Sequence, residues 1–131
     1  MMWGLGARHP ILVLSYHNCE IHCCHLDGYK ANTEALVNRL NQIEVEISSK
    51  PIHSKMRIWY NLDENVLNQL TMKMIAESIG RFQEHIYKIA FIGLRGISKW
   101  RFKYILKQTI GKNRISRAYF LDAELAKGWL V

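Results

Sequence analysis

After residue 31 the chain changes its apolar rhythm repeatedly, passing from helical spacing to a short unbroken apolar run and back, and few folds accept that alternation. Leu36, Val37, Leu40, Ile43 and Ile47 recur at helical spacing, with Asn32 or Thr33 placed to cap the start and Ser48-Ser49-Lys50-Pro51 to stop it. Residues 56–60 read as a strand and residues 61–65 as a polar loop. Leu67, Leu70, Met74, Ile79, Phe82 and Ile86 then mark a second amphipathic helix, and residues 89–94 a buried strand. A third helix runs over Gly96–Ile110 with Phe102, Ile105, Leu106 and Ile110 inward, followed by a strand over residues 118–121 and a helix over Ala123–Leu130. Ahead of all this, Ile11–Tyr16 and residues 19–26 are two apolar runs about His17-Asn18, which predicts a hairpin closed off by Asp27-Gly28. The order ββαβαβαβα predicts an α/β fold: a central, mostly parallel sheet with helices packed on it, begun by an antiparallel hairpin.

With 131 residues the chain has the size of one domain with a real core, and no repeat or Pro/Gly-rich linker divides residues 11–131. Residues 1–10 read as a loose leader, since one Arg and no long apolar stretch do not make a secretory signal. No apolar run reaches the roughly 20 residues of a spanning helix. Three cysteines bunched at Cys19, Cys23 and Cys24 form no disulfide framework and fit a reducing, cytoplasmic setting.

Those cysteines stand among His17, His22 and His25, and the composition suggests zinc or another transition metal held by Cys19, Cys23 and His25. Strand geometry argues the other way. At ~3.3 Å per residue, Cys19 and Cys23 lie about 13 Å apart on one face and His22 turns to the other, too spread for bonds of roughly 2.0–2.3 Å. A buried thiol filling core space is the reading adopted, and no metal or cofactor is expected. Nor does the chain carry a nucleophile elbow, a phosphate-binding glycine loop or spaced paired carboxylates. Asp63-Glu64 are adjacent in a loop, and Gly93-Leu94-Arg95-Gly96 is two glycines in a turn. Trp59 and Trp129 read as core, whereas Trp100 lies between Lys99 and Arg101. A non-enzymatic protein is expected.

Three stretches resemble a known family: "HLDGYKANTEALV", "MRIWYNLDENVLNQLTMKM", and "YKIAFIGL" followed by "RAYFLDAELAKGWLV". In order and character they resemble the STAS domains of bacterial anti-sigma-factor antagonists, most closely the shorter SpoIIAA-like group, over most of residues 11–131. The resemblance implies a regulatory module that binds a protein partner, or a small ligand such as a nucleotide or lipid near the loops after the strands. Members that act as phosphorylation switches carry an Asp-Ser-Ser-Gly-type stretch where the second helix begins. The matching residues here are Gln69-Leu70-Thr71-Met72, so Thr71 alone corresponds to the phosphorylated position and its Ser, Asp and Gly neighbours are missing.

The formal net charge is +7, and no acidic residue occurs between Glu84 and Asp122. Lys99, Lys103 and Lys107 recur at i, i+4, i+8, and an outward stripe of these three, with Arg95 and Arg101, is the expected partner-binding face. An acidic protein or a homodimer mate offering Glu34, Glu44 and Glu46 is the expected partner. Nucleic acid or an anionic membrane surface is the alternative that charge suggests, nucleic acid being the weaker because no known nucleic-acid module is present.

Overall fold

His17 and Asn18 both adopt left-handed backbone angles, φ 50° and 63°, as a two-residue turn matched to strand twist requires. They join β1 (Ile11–Tyr16) to β2 (Cys19–His25) as an antiparallel hairpin with Tyr16 opposite Cys19. The computed structural model describes residues 11–52, 55–111 and 115–131, so the expected leader at 1–10 lies outside the described residues. The chain continues through α1 (Thr33–Ser48), β3 (Met56–Asn61), α2 (Gln69–Arg81), β4 (Ile86–Ile92), α3 (Gly96–Ile110), β5 (Ser116–Phe120) and α4 (Ala123–Leu130). The sheet has the order β1-β2-β3-β4-β5, and every pair after the hairpin is parallel. The expected α/β fold and element order are thus observed.

Because each crossover steps one strand further in the same direction, right-handedness places α1, α2 and α3 on one face. Their Leu36, Leu40, Ile43, Met72, Ile75, Phe102 and Leu106 bury against Cys24, Ile58, Tyr60, Ile89 and Phe91 of the sheet. The opposite face is covered by α4, whose Ala126 and Leu130 pack with Ile21, Cys23, Trp59, Ala90 and Ile92. Three helices start where a side chain accepts an otherwise unpaired amide: Asn32 from Ala35, Asn68 from Thr71 and Asp122 from Glu124.

Two sequence expectations shift. The buried side of α2 is Thr71, Met72, Ile75, Ala76, Ser78 and Ile79, while Leu70 is 67% exposed. The cap at Asn68 sets that phase, and it brings two small hydroxyl residues inward. Ile86 belongs to β4 rather than α2, because a 3₁₀ turn at Gln83–His85 ends the helical run first.

Candidate binding surface

On α3 the inward residues Phe102, Leu106 and Ile110 leave one flank turned toward β5. At 100° per residue, Lys99, Lys103 and Lys107 fall within a sector of about 80° on that flank. With Arg117, Ala118 and Tyr119 of β5 they line a groove of about 460 Å³. The stripe therefore points sideways over the sheet's last strand instead of straight outward. Lys103 Nζ lies 5.2 Å from the Tyr119 ring centre and 4.4 Å from that of Trp100, so the cation rests against two aromatic faces. Burial pushes the Tyr119 phenol up to about 12, with Arg117 opposing. It stays neutral and does not answer the lysines. Among the described residues, no carboxylate pairs with any of the three.

Arg95 and Arg101 do not join them. Arg101 sits about 160° around the helix from Lys103, and Arg95 precedes α3 and lines a separate cleft of about 240 Å³ at the carboxyl ends of β3 and β4. Between the two flanks α3 exposes Ile97, Trp100 and Tyr104, at 74%, 64% and 64%.

The carboxyl-end cleft is closely stitched. Asn65 accepts the Tyr29 amide (2.9 Å) and donates to the carbonyls of Leu26 (2.6 Å) and Leu62 (3.0 Å), tying the loops after β2 and β3 together. Gly93 lets the loop after β4 approach so closely that a Cβ there would stand 2.7 Å from Asp63 Cα. Asp63 and Glu64 both line this cleft. Thr71, at the start of α2, is 1% exposed and its hydroxyl donates to Asn68 Oδ1 at 2.9 Å.

Cys23 and Cys24 are buried on opposite faces of β2, and Cys19 is half-buried. Desolvation pushes the Cys23 thiol up to about 11 and the Cys24 thiol well above its ordinary range. His22 is lowered, burial being the main cause. Cys19 and His22 border a cleft at the amino ends of β2 and β3, and among the described residues no three His, Cys, Asp or Glu side chains gather to hold a metal. Glu44, expected to meet a dimer mate, is engaged within its own chain by Arg81 (2.7 and 3.0 Å) and Ser78 (2.9 Å).

Lysine spacing on one helix was readable from the sequence; the facing wall from β5 and the asparagine ties were not, although the run of polar residues at 61–65 marked their place. Among the described residues no helix is long and apolar enough to cross a membrane. No family model, no curated protein and no solved structure matches this chain.

Proposed function

We propose that this chain is a non-enzymatic, STAS-like binding module that holds an acidic protein partner on the α3/β5 face. The observation that carries the reading is the row Lys99, Lys103 and Lys107 gathered on one wall of a groove with no carboxylate pairing among the described residues. Like charges at i, i+4 repel by a few tenths of a kcal/mol per pair, and an acidic partner relieves that cost. The STAS-like assignment is supported by the order of elements: a hairpin, then parallel strands each followed by a helix. The carboxyl-end cleft gives less support to a nucleotide, since two carboxylates line it and its 240 Å³ falls under the ~300 Å³ of ordinary ligand pockets. A homodimer joined through Glu44 would have to break the Arg81 pair first.

One observation favours a second reading. Ile97, Trp100 and Tyr104, exposed between basic residues, resemble the interfacial side of a helix lying on an anionic membrane. Tryptophan fluorescence separates the two, Trp100 being exposed on the relevant helix. Poly-glutamate, vesicles containing phosphatidylserine, and a single-stranded oligonucleotide are each titrated at 0.1 M and 1 M salt, over which the Debye length falls from ~10 Å to ~3 Å. Poly-glutamate is expected to bind best, with loss at high salt and on combined Lys99→Gln, Lys103→Gln and Lys107→Gln. Tighter binding of vesicles or oligonucleotide would replace the acidic-protein reading, and no binding of any would make the lysines a solvated face.

A further inference from the structure

The groove lies beside the last strand of the sheet, and that position suggests the form the partner takes. We infer that the acidic partner enters as an extended segment adding a sixth strand to the open edge of β5, with carboxylates at alternate positions under Lys99, Lys103 and Lys107. This rests on the α3/β5 face being the binding surface.

Within the described residues β5 ends the sheet on this side. Phe120 accepts the Gly93 amide at 3.0 Å, so its main-chain groups turn toward the β4 side. A strand's successive residues present their main chain to opposite sides, so Tyr119, one residue earlier, turns its amide and carbonyl to the open edge. Its side chain meanwhile stacks on Phe91 (5.2 Å, 20°) on the face that α3 covers, with Lys103 above it. A main chain offering hydrogen bonds and a row of cations therefore border the same groove.

The spacings agree as well. Residues four apart on a helix are ~6 Å apart along its axis, and alternate residues of a strand are ~6.6 Å apart. Over three positions the two rows drift by only about 1 Å, which flexible lysine stems absorb. Intervening side chains of the added strand would turn to the other face, beside Ala118 and Phe120, where β-branched apolar residues fit. The same lysines that discourage an apolar edge from pairing here would thus admit an edge that carries acids in the matching rhythm.

The test uses the intact protein and a short synthetic peptide alternating valine with three glutamates. Controls are an isomer with the glutamates adjacent and a version N-methylated on the amides that would face β5. The alternating peptide is expected to bind about tenfold more tightly than either control. It should slow amide exchange at Tyr119 while leaving Phe120 unchanged, and lose affinity on the triple lysine-to-glutamine change with the circular-dichroism spectrum preserved. Equal binding of the isomer or of the N-methylated peptide would overturn strand addition. The broader acidic-partner reading would survive that result if poly-glutamate still bound more tightly than vesicles and oligonucleotide, and would fall if it did not.

Discussion

Gly93 sits at φ 95° with Asp63 backbone where a side chain would begin, and Gly96 sits at φ 54° with nothing within 4 Å. The two glycines thus separate conformational strain from lack of space. Gly96→Ala should cost about 1 kcal/mol for the left-handed backbone alone. Gly93→Ala should cost about 3 kcal/mol, because displacement of the loop after β3 is added to it. Chemical denaturation of the two variants measures the gap, and equal costs would show that the Asp63 approach is loose. Thiol chemistry at single residues follows burial in the same way. With the Cys23 thiol pushed up to about 11 and Cys24 fully buried, native protein at neutral pH should react with a disulfide reagent at Cys19 first. Cys23 and Cys24 should follow only as the fold opens, and rapid labelling of all three without denaturant would contradict the packing of β2.

At the scale of elements, α1 and α2 are clasped by Glu44 with Arg81 and Ser78. The Arg81 hydrogen bonds hold the Glu44 carboxyl below its ordinary 4.5, against some desolvation. A carboxyl lowered in the fold stabilises it above the unfolded value, and that help disappears as pH falls through the folded value. Arg81→Gln should therefore destabilise the protein at pH 7 by no more than about 1 kcal/mol, since Arg81 is largely exposed. Below the folded value the variant and the parent should unfold alike, and urea melts at neutral and acid pH read both. The elements themselves were legible where punctuation is strong: Gly96 opens α3 and Asp122 caps α4, and both helices span the expected residues. The phase of α2 was not, because buried Thr71 and Ser78 look polar to any count of apolar spacing while exposed Leu70 looks like core. The start of β4 was hidden for a related reason, Ile86 continuing the spacing of Ile79 and Phe82 across a turn. As for the candidate site, one helix's lysines show in one stretch of sequence. What they face depends on β5 being the outer strand, which pairing settles and no single strand's composition reveals.

Among the described residues the two faces of the sheet are unequally protected, three helices on one and the eight residues of α4 on the other. Basic side chains from the sheet hold the end of that helix: Arg57 Nε donates to the Leu130 carbonyl (2.7 Å) and Lys88 Nζ to that of Trp129 (2.9 Å). Leu130, the last residue of α4 and fully buried, is where this cover is most exposed to damage. Leu130→Ala should cost 2–5 kcal/mol as an order-of-magnitude expectation, and thermal melting should show it as a single cooperative loss. A non-cooperative melt, with α4 detaching alone, would show that the α4 side is a separate unit. The same arrangement bears on biosynthesis. Ribosomes deliver a chain from its amino end at about 5–20 residues per second, so β5 leaves before α4 does. In that interval the sheet can close on α1, α2 and α3 while Ile21, Trp59, Ala90 and Ile92 still lack the cover of α4. A chain cut short after Phe120 and released is then a half-roofed intermediate, and it is this species, more than the finished protein, that a chaperone should recognise.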